Sequence, residues 1–294
     1  MIETVIPYRE RTIGAFNVRR VLPFSKRRSV GPFVFVDDFG PMEIVGSRYL
    51  DILAHPHIGL ATVTYLFSGR MTHRDSLGNV QLIEPGEVNW MTAGRGIVHS
   101  ERVSDAGNDP ETRLAGLQTW VALPESLEET EPSFAHHGSN ELPLVENDGI
   151  RLQVVLGGCY GVKSPVVTVG NPFYAECHLK GGSTIEIPAE IDERAAYILK
   201  GQLLIDNRVF QPGSLVVFGK GSAEIRADQD AKFMILGGDR LDKPRFMWWN
   251  FVSSRQELIE QARNDWREGN FTPIPNETGF VPLPEDNFPR AQPL

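Results

Sequence analysis

Residues 55–69 read HPHIGLATVTYLFSG, and residues 86–101 read GEVNWMTAGRGIVHSE. The first stretch is a short run rich in β-branched and aromatic residues that ends at a glycine, which favours a strand over a helix. Two further strand-like runs, Val80–Ile83 and Val88–Met91, follow it with turn residues between them. Strands that repeat at a spacing of about ten residues are typical of an antiparallel sandwich or barrel.

Each stretch also carries two metal-ligating residue types at positions i and i+2. The pairs are His55 with His57 and His99 with Glu101. Side chains alternate between the two faces of a strand, so both members of a pair point to the same side. Two such strands facing each other would present three imidazoles and one carboxylate to a single point. This donor set suits a divalent first-row metal, and iron most readily if coordination positions stay open.

The two stretches resemble the pirin family of the cupin superfamily. The resemblance extends over nearly the whole chain, through GAFNVRRVLP at 14–23, VGPF at 30–33, DFGP at 38–41 and FMWWNFVSS at 246–254. It implies an all-β bicupin with two double-stranded β-helix (jelly-roll) barrels in tandem. The N-terminal barrel would hold one metal, most often Fe2+, through His55, His57, His99 and Glu101. Mn2+, Ni2+, Cu2+, Co2+ and Zn2+ stay open as alternatives.

The sequence departs from the family pattern near the second histidine. Ordinary cupins place a ligand glutamate four or five residues after that histidine, where this chain has Ala61 and Thr62. The carboxylate would therefore come from Glu101. Pirins also commonly carry arginine and phenylalanine where this chain has Ile58 and Leu60. These two changes make the mouth of the site less charged or smaller. They do not affect the predicted metal ligands, but they leave the identity of the substrate undetermined.

The resemblance implies quercetin 2,3-dioxygenase activity, in which a flavonol enolate binds the metal and O2 opens its ring. Glu101 is the candidate catalytic base, and the expected partners are a flavonol-like small molecule and O2. One alternative is a metal-containing regulatory protein that binds a partner enzyme or transcription factor without catalysis. Another is a different metal-dependent oxygenase or isomerase. The candidate residues for the wall around the metal are Phe33, Trp90, Met91 and Trp120.

An internal repeat supports two copies of one barrel. Tyr65–Gly69 resembles Tyr197–Gly201, and each is followed by a Pro-Gly turn and an apolar run. When the four ligands are projected onto the second copy they fall on Ile187, Ala189, Arg226 and Asp228. The second barrel is therefore expected to lack a metal. We expect domains at 1–132 and 143–294 with a linker at 133–142.

The C-terminal part of the chain predicts a helix and a tail. Ser254-Arg-Gln-Glu257 matches a capping box, which predicts a helix from there to about Trp266. Six prolines from Phe271 onward predict an extended tail over a domain surface. Trp248 and Trp249 are expected to pack in a core or an interdomain seam.

Composition limits the partners and the location. The net charge is −9, which disfavours direct nucleic-acid binding because that affinity comes largely from Lys and Arg neutralising phosphates. No apolar run approaches the ~20 residues that span a bilayer, so no membrane contact is expected. The N-terminus lacks a basic region followed by an apolar stretch, which predicts a cytoplasmic protein. His73, in a hairpin with Arg74 and Asp75, is expected to be solvated.

Overall fold

The computed structural model describes residues 1–14, 16–44, 50–109, 111–285 and 292–294. These residues form two compact units. The first-barrel unit consists of Arg11–Val18, Asp37–His136 and Leu241–Leu294. The second-barrel unit consists of Met1–Glu10, Arg19–Val36 and His137–Arg240.

The described residues are mostly strands, with one α-helix, α1 (Gln256–Glu268), and a short 3-10 helix at Glu125–Leu127. The strands in chain order are β1 (Ile2–Pro7), β2 (Arg9–Ile13), β3 (Phe16–Leu22), β4 (Phe33–Glu43), β5 (Ile52–His57), β6 (Leu60–Ser68), β7 (Met71–Asp75), β8 (Val80–Ile83), β9 (Val88–Thr92), β10 (Ile97–Arg102), β11 (Arg113–Ala122), β12 (Ser133–His137), β13 (Leu144–Asn147), β14 (Ile150–Leu156), β15 (Gly158–Cys159), β16 (Val162–Lys163), β17 (Pro172–Leu179), β18 (Thr184–Ile187), β19 (Glu193–Lys200), β20 (Leu203–Ile205), β21 (Arg208–Phe210), β22 (Ser214–Phe218), β23 (Ala223–Arg226), β24 (Ala231–Gly238), β25 (Phe246–Trp248), β26 (Phe251–Ser253) and β27 (Gln292–Pro293).

A pair of sheets, one of seven strands and one of four, occurs twice with the same topology. A seven-stranded sheet has the order β12-β9-β6-β11-β4-β3-β2, and a four-stranded sheet has the order β5-β10-β7-β8. The second set has the orders β1-β22-β19-β24-β17-β14-β13 and β18-β23-β20-β21. The register repeats as well, since Tyr65 pairs with Val88 and Tyr197 pairs with Leu215. The all-β architecture with two copies of one barrel is confirmed.

The units do not divide at the expected boundaries of 132 and 142. Parts of the N-terminal region belong to the second-barrel unit, and the C-terminal region belongs to the first-barrel unit. Strand β1 pairs with β22 and so extends the seven-stranded sheet of the second set. Strand β12, which lies in the expected linker, takes the matching edge position beside β9 in the first set. Strands β12 and β1 therefore occupy equivalent edge positions in the two seven-stranded sheets, beside β9 and β22.

The helix and the tail belong to the first-barrel unit rather than to the second barrel. Ile259 and Ala262 of α1 are buried in one cluster with Ile58, Trp248 and Phe251. Apolar contact therefore fixes α1 beside the end of β5, and the packing expected for Trp248 is confirmed. No described helix is both long enough and apolar enough to cross a membrane.

The start of α1 differs from the predicted capping box. The N-cap is Arg255, it makes no side-chain capping bond, and the helix begins at Gln256. Ser254 lies one residue before this N-cap, and its Oγ donates to Oε2 of Glu128 at 3.0 Å. The C-terminal end is regular, since Gly269 has φ +76° in the left-handed region that glycine adopts readily.

Candidate metal centre

Antiparallel pairing of β5 with β10 brings the two histidine stretches together. His99 pairs with His55, and Ile97 pairs with His57. The alternating residues Ala54 and Val98 belong to an apolar cluster with Ile274 of the tail. The imidazoles therefore share one face of this strand pair, as the i, i+2 spacing predicted, while the other face packs against Ile274 of the C-terminal segment.

Gly59, two residues after the end of β5, has a conformation that its neighbours require. Its φ is +69°, and a Cβ at this position would lie 1.9 Å from the carbonyl oxygen of Val252. A larger residue would displace either the turn after His57 or the main chain of β26. Glycine therefore allows the close approach of β26 to the end of the first histidine pair.

The three histidines form a compact cluster. The Nε2 atoms of His57 and His99 lie 3.1 Å apart, and the His55 and His99 ring centroids are 4.3 Å apart. One ligand nitrogen from each of the three rings lies within 4.8 Å of those of the other two. Among the residues that the structure describes, this is the one group of three or more His, Cys, Asp and Glu side chains that meets this criterion. The cluster is buried, with exposures of 7%, 1% and 1% for His55, His57 and His99.

Hydrogen bonds at Nδ1 orient the rings of His55 and His57. Nδ1 of His55 lies 2.8 Å from the carbonyl oxygen of Leu53, and Nδ1 of His57 lies 3.1 Å from that of Asn250. A carbonyl oxygen only accepts, so these two Nδ1 atoms carry the protons. Each neutral ring then has its lone pair on Nε2, which is the form that binds a metal.

The histidine pKa values keep the rings neutral at physiological pH. Burial lowers the pKa of His55 to about 4, although the bond to Leu53 opposes the shift. Burial, followed by repulsion from the neighbouring imidazoles, also lowers the pKa of His57 and of His99. Metal binding at pH 7 should therefore release almost no protons from these three ligands.

The cluster geometry fits a divalent metal. Two neutral nitrogens with facing lone pairs at 3.1 Å are unfavourable without a cation between them. Metal–nitrogen bonds of about 2.0–2.1 Å place adjacent ligands of an octahedral ion about 3 Å apart. The measured separation of Nε2 atoms thus matches two adjacent positions on one ion, and three imidazoles suit iron, nickel, copper or zinc.

Glu101 is buried beside the cluster but is not part of the three-residue group. The ladder between β5 and β10 shifts register after His99, so that Glu101 pairs with Ile52. Oγ1 of Thr64 lies 3.3 Å from Oε1 of Glu101 and 2.8 Å from Oε1 of Gln118, whose amide also bonds to Glu101. Burial raises the pKa of Glu101 to about 7, although the bonds from Thr64 and Gln118 oppose this.

His73, which the sequence predicted to be solvated, is buried beside this cluster. Its exposure is 3%, and its ring stacks on Phe134 at 4.4 Å. Nδ1 of His73 lies 3.5 Å from Nδ1 of His99, and Nε2 lies 3.0 Å from Oδ2 of Asp75. The prediction was wrong because β7 pairs directly with β10, a contact that the local hairpin pattern did not indicate. The i, i+2 spacing of His73 and Asp75 on a strand was the usable signal.

Comparison with known proteins identifies the family. The pirin family model matches residues 15–121, and the model of the pirin C-terminal cupin domain matches residues 174–272. A pirin-like protein from Caulobacter vibrioides is 45% identical over 290 residues, which cover 97% of this chain and 100% of that protein. The chain belongs to the pirin family.

Solved structures share the fold of this pirin-family chain. The crystal structure of quercetin 2,3-dioxygenase from Acinetobacter baumannii aligns with a TM-score of 0.89 and 32% identity, over 98% of this chain and 97% of that one. The bacterial pirin YhhW from Escherichia coli, solved in complex with nickel(II), aligns with a TM-score of 0.63 over 82% of this chain and 100% of that one. At 18% identity, the second match shows the fold alone. The two cupin barrels expected from the sequence are confirmed.

The expected wall residues lie in different places in the pirin-family chain. The ring of Trp120 meets that of His57 edge-on at 5.1 Å, which places it against the cluster. Trp90 and Met91 are buried, and the indole nitrogen of Trp90 donates to Oγ1 of Thr92 at 2.9 Å. Phe33 instead packs on Tyr174 within the second-barrel unit, at a centroid distance of 5.6 Å. The prediction for Phe33 was therefore wrong, because that end of β4 belongs to the second-barrel unit.

The residues at the projected ligand positions in the second barrel do not form a cluster of metal-ligating side chains. Ile187 is part of the apolar core, and Ala189 is exposed. Arg226 and Asp228 are half exposed and form an ion pair with each other at 2.8 Å. The core of this barrel is filled by apolar side chains, so the described residues provide nothing there that resembles the histidine group of the first barrel.

Proposed function

We propose that this pirin-family chain is a metal-dependent dioxygenase that acts on a flavonol or a similar enolisable small molecule with O2. The observation that carries the proposal is the convergence of one ring nitrogen from each of three buried histidines, with the buried Glu101 two residues after His99 on the same strand. The likeness to the quercetin 2,3-dioxygenase of Acinetobacter baumannii, at 32% identity over nearly the full length, supports the same reaction class.

His55, His57 and His99 would hold the metal through Nε2, and Glu101 would provide a fourth ligand. A divalent metal held there would act as a Lewis acid toward an ionised hydroxyl group and would provide electrons for reaction with O2. We propose Fe2+ as the native metal because three nitrogens and one carboxylate leave two positions of a six-coordinate ion open.

Glu101 is the proposed base. In the metal-free protein, burial raises the pKa of Glu101 to about 7, so its carboxylate is a stronger base than a solvent-exposed glutamate. Thr64 and Gln118 hold the carboxylate from the side. Glu101 would leave its place as a ligand to take the proton of the substrate hydroxyl, while Trp120 would provide an apolar wall beside His57 that limits access of water.

The experiment measures O2 consumption and flavonol loss by the iron-loaded protein. Wild type should consume one O2 for each flavonol lost. Glu101→Gln should retain most of the iron, since an amide oxygen can coordinate, but should lose turnover, since an amide cannot accept the proton. Full turnover in Glu101→Gln at equal iron content would exclude Glu101 as the base. An iron-loaded wild type that consumes no O2 with flavonols would overturn the proposed activity.

One observation favours a second candidate function. The three ligating histidines are at most 7% exposed, so the cluster offers little surface for a substrate. A closed metal site suits a regulatory protein whose metal stabilises or switches a surface that binds a partner protein. This function predicts metal-dependent stability and metal-dependent partner binding without flavonol turnover. The O2 measurement therefore separates the two candidates.

A further inference from the structure

Two buried side chains behind the histidine cluster lie outside the proposed ligand set. His73 and Asp75 are 3% and 0% exposed and lie on β7. In the ladder between β7 and β10, Asp75 pairs with His99 and His73 pairs with Glu101. Paired residues point to the same face of a sheet, so both side chains lie on the side of the ligands.

The carboxylate of Asp75 is saturated with donors. Oδ1 accepts from the main-chain nitrogens of Leu77 at 2.9 Å and Asn79 at 3.1 Å, and Oδ2 accepts from Nδ2 of Asn79 at 2.9 Å. The remaining contact of Oδ2 is Nε2 of His73 at 3.0 Å. A carboxylate that accepts several bonds stays ionised and cannot donate, so the proton of this contact lies on Nε2 of His73.

The ring of His73 continues this chain to His99. With Nε2 of His73 bonded to Asp75, its Nδ1 faces Nδ1 of His99 at 3.5 Å. When Nδ1 of His99 is the donor in this contact, Nε2 of His99 carries the lone pair and faces Nε2 of His57. Phe134 stacks on the His73 ring with an interplanar angle of 13° and holds its orientation.

We infer that Asp75 and His73 are positioning residues that form a hydrogen-bonded chain to His99 and make it the most strongly donating of the three histidine ligands. His55 and His57 donate from Nδ1 to main-chain carbonyl oxygens, which are neutral. The partner of His99 is instead an imidazole backed by a carboxylate, and such a partner increases the basicity of a ligating ring. The inference rests on the metal centre proposed above, but not on the identity of the substrate.

The test compares His73→Phe and Asp75→Asn with wild type. Phenylalanine keeps a ring for stacking on Phe134 but removes both hydrogen bonds, and asparagine keeps an acceptor for the turn but removes the charge. We expect His73→Phe to weaken nickel(II) binding 10- to 100-fold and Asp75→Asn to weaken it less. In the iron-loaded variants, the midpoint potential should become more positive, since a weaker donor stabilises the oxidised ion less. A change in packing alone would not predict this order or this direction.

His178→Phe is the matched control. His178 also lies two residues from an acid on a strand, with Nε2 3.1 Å from Oε1 of Glu176, but it lies in the second-barrel unit. Its replacement should change neither the nickel affinity nor the iron potential. If His73→Phe does not fold, Asp75→Asn with the same control decides the question.

The nickel and iron measurements distinguish failure of the chain to His99 from failure of the metal centre or of the proposed activity. Nickel affinity within twofold of wild type, together with an unchanged iron potential, in the folded variants would overturn the chain to His99. A wild type that binds neither nickel nor iron would overturn the metal centre and this inference with it. A wild type that binds both, shows the predicted differences and yet does not turn over flavonols would overturn the proposed activity and leave this inference in place.

Discussion

The Nε2 atoms of His57 and His99 face each other at 3.1 Å in the interior of the first-barrel unit. Both rings are 1% exposed, and burial lowers the pKa of each. Where neither Nε2 atom carries a proton, the two lone pairs repel each other, and a cation bound by both would satisfy them. The metal is therefore expected to contribute to stability as well as to chemistry.

His57→Ala should abolish stoichiometric metal binding and leave the fold in place. In wild type, metal at a hundredfold excess over Kd stabilises the folded state by ~2.7 kcal/mol. This should raise the melting temperature of the first-barrel unit by about 5–10 °C. Elemental analysis and thermal unfolding with and without metal measure both effects. Arg226→Ala, at the projected position in the second barrel, is the control, and equal metal loss from both variants would contradict the assignment.

Binding of the metal should release a proton from Glu101. The pKa of Glu101 is raised to about 7, whereas that of His55 is lowered to about 4. At pH 6, coordination by Glu101 should therefore release about 0.9 proton, and the histidines should release almost none. Calorimetric titration in two buffers of different ionisation enthalpy measures this number. Glu101→Gln should release almost none, and an equal release from both proteins would show that Glu101 is not a ligand.

The ionisation of Glu101 should also make the stability of the metal-free protein depend on pH. Burial raises the pKa of Glu101 from 4.5 to about 7, so the folded state binds a proton that the unfolded state has lost. The free energy of unfolding contributed by Glu101 therefore falls as the pH rises from 4.5 to 7. Glu101→Gln removes this loss, because the amide does not ionise.

The difference between the metal-free variant and wild type isolates this effect, since the histidines are common to both. The variant should gain stability relative to wild type across that pH range, by up to about 3 kcal/mol above pH 7. Urea unfolding at several pH values measures the difference. A difference that stays constant from pH 4.5 to 8 would mean that Glu101 is already ionised in the folded protein.

A buried ion pair should anchor the C-terminal segment of the first-barrel unit. Nε of Arg245 lies 2.7 Å from Oε1 of Glu128, and the two side chains are 0% and 1% exposed. Glu128→Ala leaves the buried guanidinium with Asp242 as its remaining carboxylate partner and removes the acceptor of Ser253 and Ser254, so it should cost about 3 kcal/mol. Glu129→Ala, which breaks the half-exposed pair with Arg255, should cost less than about 1 kcal/mol. Equal losses by urea unfolding would contradict this account of Glu128.

Most of the fold and the three clustered histidines could be predicted from local sequence. The i, i+2 spacing on strands placed His55, His57 and His99 on one face, because alternation is a local property of extended chain. The repeat from Tyr65 to Tyr197 predicted the second barrel for a similar reason. These signals require only neighbours a few residues apart along the chain.

The missed features depend on pairing between distant segments. His73 is buried because β7 lies beside β10, and β1 belongs to the second-barrel unit because it pairs with β22. Ser254 lies before the N-cap of α1, where Glu128, 126 residues away, accepts from its main-chain nitrogen and its hydroxyl group. The role of Glu101 as a ligand stays a prediction, since the register shift after His99 changes its pairing in a way that spacing alone does not specify.

An anaerobic titration of the iron-loaded protein with a flavonol, followed by absorbance, tests directly whether the metal centre binds a flavonol. The flavonol band should shift to longer wavelength, saturate at one flavonol per iron and decay when O2 is admitted, and the shift should be absent in His57→Ala. If the protein holds one iron in the cluster and leaves the flavonol spectrum unchanged, the proposed dioxygenase function is wrong.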